Sequence, residues 1–440
     1  MSANIIQGNN KKFNKVKLDL VTLDLIENAL KNARWEMDAV LFRTAMSPGI
    51  REQHDEFPMI ANNDGKMVVG QFGSFIYGFI EGYDGTIEEG DIFLTNDPYS
   101  CRGAISHLPD WLVLMPIFKD HRVIAWSAMF GHMTDVGGKV PGSLPVDANQ
   151  IYEEGIMIPP TKIYKKGKLN SEILELILHN CRLPEWNRAD FNALIAALRI
   201  AEKRCIEIAE RFGDDYFIEA MEQMLDRNKR AMSAIIGMFV PEKKAYFEDY
   251  ICDDGIGMGP YKVACTLHRD KNGVAVFDFE GTDPQSMSSV NFMLNEEMFK
   301  MFLGAFTINI FDPQILFNDG FYDLVDVRIP AGTILKPMKP ASLSSRTHML
   351  GRIFDIMGGL LGQGAPDALN AAGFSDSPHF MYSGYDKHGE WFQLYQIGFG
   401  GIPGRPVGDG PDGHSLWPSF TNVPNEFLEA YFPLRIDTYE

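Results

Sequence analysis

Residues 107–132 read HLPDWLVLMPIFKDHRVIAWSAMFGH, and they contain two apolar runs separated by one short polar turn. Residues 111–118 and 122–130 are rich in β-branched and aromatic side chains, as strands are, and residues 119–121 form the turn between them. The pattern predicts an antiparallel hairpin. Because a hairpin returns the chain to its starting end, the first and last residues of this stretch are expected to lie side by side.

The two ends of this predicted hairpin carry the side chains of a candidate metal site. His107 and Asp110 enter the first strand, and His132 leaves the second. Two imidazoles and one carboxylate suit Mn, Zn or Fe, and they leave coordination positions for water or substrate. The alternative is that His107 and Asp110 are only turn-forming residues at a strand entrance. Loop-forming residues on both sides, at 96–99 and 137–143, favour a site at this end of the hairpin.

Composition and charge limit the classes of partner. The chain has 440 residues, 45% of them hydrophobic, and a net charge of −19. Nucleic acids and anionic membranes call for clustered Lys and Arg, so neither is expected as a partner. Five scattered cysteines without a Cys-x-x-Cys pair fit neither a disulfide framework nor a thiolate zinc site. No signal peptide or membrane span is recognisable, and the sequence predicts a cytoplasmic location.

The order of apolar patterns predicts an α+β protein with a multi-layer, β-rich core. Helical spacing covers residues 24–44, 171–182, 187–236, 295–311 and 345–363, and short strands with Gly, Asn, Asp and Pro turns fill 57–163. Three further strands are predicted at 245–252, 261–268 and 273–280, followed by Gly/Pro-rich C-terminal loops. The domain boundaries predicted from these patterns are a polar tail (1–18), a helix with the β-rich metal-site domain (19–165), a helical segment (166–240) and a second α+β domain (241–440).

Several short motifs occur in one order along the chain, and together they are more specific than any one alone. They are Ser47-Pro48-Gly49-Ile50-Arg51-Glu52 with Asp55, Asn96-Asp97-Pro98-Tyr99, His107-Leu108-Pro109-Asp110, Pro141-Gly142-Ser143, Pro330-Ala331-Gly332-Thr333 and Phe432-Pro433-Leu434-Arg435. This series resembles the hydantoinase B/oxoprolinase family over nearly all the chain after residue 35. Members commonly continue into a further Gly-rich segment, so the resemblance implies either a separate polypeptide for that portion or an incomplete sequence.

The resemblance implies an enzyme subunit rather than a free-standing enzyme. B-type proteins of this family work with an A-type ATPase subunit that phosphorylates a carbonyl oxygen, and a small additional subunit is compatible with the pattern. ATP would then be bound by the partner, which fits the lack of a nucleotide-binding motif here. The family's ketone carboxylases hold a divalent metal at positions that match His107, Asp110 and His132.

Three functions follow from the resemblance. The first is the catalytic subunit of an ATP-dependent carboxylase similar to acetophenone or acetone carboxylase. The second is the same subunit in a cyclic-amide hydrolase (hydantoinase, 5-oxoprolinase or lactamase), and the third is a metal-free structural subunit. Met133 favours the first, because hydrolytic members often have a second His directly after the residue that matches His132.

Six other residues are candidates for supporting roles. Asp97 and Asp135 lie in loops beside the predicted hairpin, where they could accept the second N–H of a metal-bound imidazole or simply cap turns. Arg51 and His54 follow the first helix and could contact a phosphate or carboxylate. Two residues four apart on one face of the helix at 345–363, His348 and Arg352, are candidates for contact with substrate or partner.

Overall fold

A seven-stranded antiparallel sheet forms the centre of the N-terminal part of the molecule. The computed structural model describes residues 4–5, 13–71, 76–367, 369, 371, 378–398, 401, 403–406, 408–410 and 420–438. The strand order in this sheet is β3-β2-β7-β6-β5-β8-β9. The strands are β2 (Met59–Ala61), β3 (Met67–Gly70), β5 (Ile92–Thr95), β6 (Asp110–Lys119), β7 (Arg122–His132), β8 (Thr161–Lys165) and β9 (Lys168–Leu169); β1 (Asn4–Ile5) and β4 (Thr86–Ile87) pair separately.

Strands β6 and β7 form the predicted hairpin at the middle of this sheet. Their two-residue turn is Asp120-His121, with φ of +48° and +60°. Positive φ at both central residues is typical of the tight turns whose twist matches that of paired strands. The register places Asp110 directly opposite His132. The predicted proximity of the two hairpin ends is therefore confirmed.

Both faces of β6 are covered, which explains why its sequence is continuously apolar rather than alternating. Leu112 and Leu114 belong to one apolar cluster, and Trp111 and Val113 belong to another. The second cluster includes residues of two long helices, Leu20–Thr44 and Pro184–Phe212, and the first includes residues of a second sheet. The hairpin that carries the candidate site therefore lies between two cores.

The helices of the described chain are α1 (Leu20–Thr44), α2 (Pro48–Arg51), α3 (Ile76–Gly82), α4 (Ser171–His179), α5 (Pro184–Phe212), α6 (Asp214–Phe239), α7 (Glu296–Phe311), α8 (Thr347–Leu361) and α9 (Asn425–Tyr431). The Asp19 side chain caps α1 by accepting a hydrogen bond from the Thr22 N–H. The predicted helical stretch 187–236 is two helices, because Gly213 interrupts it with φ +97° and ψ 143°. None of these helices is both long and apolar enough to cross a membrane.

A second sheet follows in the order β10-β11-β12-β13. Its strands are β10 (Ala245–Ile251), β11 (Tyr261–Arg269), β12 (Ala275–Asp278) and β13 (Val325–Arg328). The first three run antiparallel as the three strands predicted in this region, and β13 joins β12 in parallel after α7. One apolar cluster contains Trp126 of the first sheet and Phe277 of the second, so the two sheets share a core.

The C-terminal region contains an unpredicted hairpin. The sequence predicted irregular loops there, but β14 (His379–Tyr385) and β15 (Trp391–Ile397) pair antiparallel. Aromatic residues along both strands explain the pairing, since they favour extended backbone. Much of the Gly-rich stretch that follows lies outside the described residues. With helices and several sheets in one chain, the predicted α+β class is confirmed.

Candidate metal centre

The β6–β7 hairpin builds a compact cluster from the three predicted ligands. Asp110 and His132 face each other across the hairpin, and the turn before β6 brings His107 back to Asp110. His107 Nε2 lies 3.0 Å from Asp110 Oδ2, and His132 Nδ1 lies 3.0 Å from Asp110 Oδ1. One ligand atom from each residue lies within 4.8 Å of the others, and all three side chains are buried. The three residues are therefore a candidate ligand set for one shared divalent ion.

Asp55 adds a second carboxylate beside this cluster. The chain segment around Glu56 bridges to Gly131 at the end of β7, and the Asp55 carbonyl accepts a hydrogen bond from the His132 N–H. This contact places Asp55 Oδ2 3.7 Å from His132 Nδ1. Asp55 is thus a candidate fourth ligand or a carboxylate that orients the His132 ring.

The cluster opens onto a cavity of about 60 Å³. Apolar side chains form much of its wall away from the cluster: Phe57, Phe130, Met298, Phe302, Leu350, Ile397 and Phe420. A space of this size accommodates only a few water molecules. The cluster therefore faces a small space with largely apolar walls, where electrostatic interactions are stronger than in bulk water.

Burial and neighbouring charges set the protonation of the cluster. Burial, with the Arg346 guanidinium next in importance, lowers the pKa of His107 to about 3, so its imidazole is neutral. Burial alone would raise the pKa of Asp110, but the adjacent imidazoles, His107 first, hold it well below its usual range. Burial raises the pKa of Asp55 to about 7. The site thus offers a neutral imidazole and an ionised carboxylate, the forms in which both bind metals.

Three further residues complete the site, and the sequence did not indicate any of them. Arg346, which precedes α8, places Nη2 3.0 Å from His107 Nε2. The Tyr395 ring stacks on His132 with 4.2 Å between centroids, and its hydroxyl lies 3.0 Å from His379 Nδ1. All three line the cavity. They lie more than 200 residues from the hairpin, and no local pattern links them to it.

The carboxylates of Asp97 and Asp135 contact loop groups rather than the imidazoles. Asp97 accepts hydrogen bonds from the Tyr99 N–H and the Ser100 hydroxyl, as a turn-capping residue does. Asp135 accepts from the backbone and guanidinium of Arg182, among other donors. His107 Nδ1 and His132 Nε2 have no hydrogen-bond partner among the described residues. The sequence left two roles open for Asp97 and Asp135, which were orientation of a metal-bound imidazole and capping of turns. The described contacts of both carboxylates are those of capping.

The other predicted contact residues are not among those that line the cavity. Arg51 pairs with Glu52 and stacks over the Phe427 ring, and His54 stacks on Phe42 with 3.8 Å between centroids. On α8, His348 is exposed. Arg352 on the same helix forms ion pairs with the residues Asp249 and Asp355. Their predicted contacts with substrate or partner remain predictions.

The fold and the site together define an α+β protein with a buried His-Asp-His cluster at the end of a central hairpin. A family model described as hydantoinase B/oxoprolinase matches residues 19–440. The chain belongs to the hydantoinase B/oxoprolinase family, as its motifs predicted. Members of this family are subunits of ATP-dependent hydantoinases, lactamases, oxoprolinases and carboxylases, so the chain is an enzyme subunit.

Named relatives cover both reaction classes. The caprolactamase subunit beta of Pseudomonas jessenii is 28% identical, over 81% of this chain and 62% of that subunit. The acetophenone carboxylase delta subunit of Aromatoleum aromaticum is 25% identical, over 87% of this chain and 58% of that subunit. The crystal structure of the Pseudomonas jessenii ATP-dependent caprolactamase superimposes with a TM-score of 0.86 at 24% identity, covering 97% of this chain and 75% of that one. This last likeness shows a common fold.

Proposed function

We propose that this chain is the metal-bearing catalytic subunit of a heteromeric ATP-dependent enzyme, which acts on a carbonyl substrate phosphorylated by an A-type ATPase partner. One observation carries the proposal. His107, Asp110 and His132 place their ligand atoms within 4.8 Å of one another in a buried cluster beside a cavity. Buried groups of this kind are costly unless they are paired or coordinate a metal. The intact set of three residues speaks against a metal-free structural subunit.

The donor set fits Mn, Zn or Fe, since it combines two imidazoles with one or two carboxylates. A metal ion held there would supply Lewis-acid polarisation of a carbonyl or phosphoryl oxygen. The protein groups have separate tasks. Asp55 lies close enough to orient the His132 ring, Tyr395 stacks on that ring, and the apolar wall excludes water from the reacting groups.

Carboxylation, as in acetophenone or acetone carboxylases, is the reaction that we propose first. In the sequence, Met133 favoured carboxylation. Its side chain is buried in the apolar cluster on the α1 and α5 side of the sheet. It is not among the residues that line the cavity. Its side chain therefore does not line the site, and the preference for carboxylation rests on the resemblance to carboxylase subunits.

Cyclic-amide hydrolysis is the second candidate. The specific observation in its favour is that the caprolactamase subunit beta is 28% identical to this chain, against 25% for the acetophenone carboxylase subunit. Both reactions use an activated carbonyl, and only the carboxylase consumes bicarbonate. Bicarbonate dependence of the substrate-stimulated ATP hydrolysis by the assembled complex therefore separates them.

The first experiment measures metal content by mass spectrometry in the protein purified with its natural partners. We expect about one divalent ion per chain in the wild type. His132→Ala should lose both the metal and the activity while the complex still assembles. His121→Ala is the matched control, because His121 is an exposed turn residue that pairs with Glu89 at the surface. An active wild-type complex without metal would overturn the proposal.

A further inference from the structure

Arg346 lies against two of the three proposed metal ligands. Its Nη2 is 3.0 Å from His107 Nε2 and 3.4 Å from Asp110 Oδ2. The Arg346 side chain is only 11% exposed, so these contacts are shielded from water. A positively charged group therefore lies against the cluster and lines the same cavity.

The proton positions follow from the chemistry of the guanidinium, which has donors and no acceptor. We assign His107 Nε2 as the acceptor in its contact with Arg346, and in this tautomer it carries a lone pair and no proton. Asp110 Oδ2 is 3.0 Å from that same nitrogen and also carries lone pairs. Two lone-pair atoms at this separation repel unless a cation lies against both. Arg346 supplies that cation in the contacts described here.

A metal ion bound to His107 Nε2 would need the same lone pair. One imidazole nitrogen cannot accept a hydrogen bond and coordinate a metal at the same time. We propose that Arg346 competes with the divalent ion for His107, and that the guanidinium displaced by the ion binds an oxyanion of the substrate. This inference rests on the proposed metal site and adds a second cationic group to it.

The charges around the cavity explain why the displaced guanidinium would take an anion. Among the described residues that line the cavity, Arg346 is the only Arg or Lys, and Asp55 and Asp110 are the only carboxylates. A divalent ion and a guanidinium exceed two carboxylates by one positive charge. The wall beyond them is largely apolar, so this excess is poorly screened.

An oxyanion matches the shape of the guanidinium as well as its charge. A guanidinium fork binds two oxygens of a phosphoryl or carboxylate group at once. Arg346 Nε is buried and has no hydrogen-bond partner among the described residues. It is therefore a donor that such an oxyanion could use together with the amino groups.

The competition is tested by titration calorimetry of the full chain with Mn²⁺ alone. The wild type is compared with Arg346→Gln, which removes the guanidinium, and with His132→Ala, which removes a ligand. We expect Arg346→Gln to bind Mn²⁺ about tenfold more tightly or better, as loss of a competing charge-assisted contact implies. Arg352→Gln is the matched control, because Arg352 pairs with Asp249 outside the cavity. It should bind Mn²⁺ like the wild type.

The oxyanion role is tested by repeating the titration with methylphosphonate or acetate present. In the wild type, the bound anion should tighten Mn²⁺ binding by at least about fivefold, because the two ligands are linked through Arg346. Arg346→Gln should lose this enhancement. A larger effect of methylphosphonate indicates a phosphoryl oxyanion, and a larger effect of acetate indicates a carboxylate.

The outcomes separate this inference from the proposed function. If Arg346→Gln binds Mn²⁺ no more tightly than the wild type, competition is overturned, and if it keeps the anion enhancement, the oxyanion role is overturned. If neither the wild type nor any variant binds Mn²⁺, and the complex also purifies without a divalent ion, the metal site itself is overturned, and this inference with it. Should Arg346→Gln not fold, Arg346→Lys replaces it. Its ammonium cannot bind two oxygens as a fork, so the anion enhancement should be smaller than in the wild type.

Discussion

Asp135 joins three parts of the chain around the candidate metal centre. Its buried carboxylate accepts hydrogen bonds from the Gly137 and Gly142 N–H groups, from Arg182, and from the Gln393 side chain of β15. The loop after β7, the start of α5 and the C-terminal hairpin are thereby held together. Tyr395 of the same hairpin stacks on His132, so the hydrogen bond from Gln393 to Asp135 links the loop after β7 to the strand that packs against the site.

Asp135→Ala should be strongly destabilising, because it removes the ion-pair partner of Arg182 and leaves the buried Gly137 and Gly142 N–H groups without their acceptor. We expect the free energy of unfolding to fall by roughly 3 to 5 kcal/mol. Urea denaturation measures this loss. Asp147→Ala is the control, since the Asp147 side chain is 62% exposed and its change should stay within about 0.5 kcal/mol. Equal unfolding midpoints for wild type and Asp135→Ala would contradict the role assigned to Asp135.

Glu154 is a second buried carboxyl group with an unusual environment. Its Oε1 accepts hydrogen bonds from the Ser342 hydroxyl and the Leu343 and Ser344 N–H groups, and its Oε2 has no partner among the described residues. Burial raises the pKa of Glu154 to about 7, against the lowering effect of these donors. The proton is expected on Oε2, the oxygen without a partner.

The raised pKa of Glu154 predicts a pH dependence of stability. The folded protein binds this proton more tightly than the unfolded chain, so stability is lost as pH rises from about 4.3 to about 7. Glu154→Gln cannot titrate there. The free energy of unfolding of Glu154→Gln, relative to that of the wild type, should therefore increase by about 2.5 kcal/mol between pH 5 and pH 8. A pH-independent difference in urea denaturation would show that Glu154 does not titrate in this window.

At the scale of elements, Gly213 separates the two longest helices of the middle segment. Its φ of +97° and ψ of 143° lie in a region that residues with a Cβ rarely adopt. A Cβ added at Gly213 would meet only Tyr216 Cδ2, at 3.6 Å. Backbone strain, rather than a clash, therefore requires glycine here.

Gly213→Ala should lower the free energy of unfolding by about 1 to 3 kcal/mol, the usual cost of such strain. Gly237→Ala within α6 is the matched comparison, because its added Cβ would meet only Arg269 Nη1, at 3.5 Å, in an ordinary helix. That change should stabilise by about 0.5 to 1 kcal/mol. Thermal unfolding of both variants checks the prediction. Effects of the same sign at both positions would argue against the strain at Gly213.

At the scale of the whole molecule, the candidate metal centre lies where several distant parts of the chain meet. The central hairpin supplies His107 and His132, the segment before β2 supplies Asp55, and the region before α8 supplies Arg346. The two sheets also share an apolar core next to the cavity. A ligand that binds the cluster therefore binds only the folded arrangement of all these parts.

Metal binding should accordingly stabilise the whole fold. Mn²⁺ at one hundred times its dissociation constant should raise the free energy of unfolding by about 2.7 kcal/mol, because the unfolded chain does not hold the ligands together. Thermal unfolding with and without Mn²⁺ measures this gain. His107→Ala should show none of it, and His121→Ala should show all of it. A gain that persists in His107→Ala would mean that Mn²⁺ stabilises the protein from another site.

Local sequence was sufficient for the central hairpin and for the three clustered residues. The apolar runs of β6 and β7 specify strands, and the two-residue turn begins their pairing. A register shift between Ile117 and Phe118 then sets Asp110 opposite His132. The helices at 20–44, 296–311 and 347–361 also follow from local periodicity. The break at Gly213 did not follow, because a periodic apolar pattern can continue across a single strained residue. The C-terminal hairpin did not follow either, because its strands lie in a Gly- and Pro-rich region of the kind that predicts loops.

Only the tertiary structure decided what surrounds those three residues. Asp55 lies at the site because its neighbour Glu56 forms a backbone bridge to Gly131. Arg346, His379 and Tyr395 lie there because segments more than 200 residues away pack against the hairpin. Contacts at such separations leave no mark in local spacing or composition, since they depend on how complete elements pack. In the same fold, the carboxylates of Asp97 and Asp135 contact loop groups. The sequence therefore determined the family and the candidate ligands, and the fold determined the charged and apolar groups of their cavity.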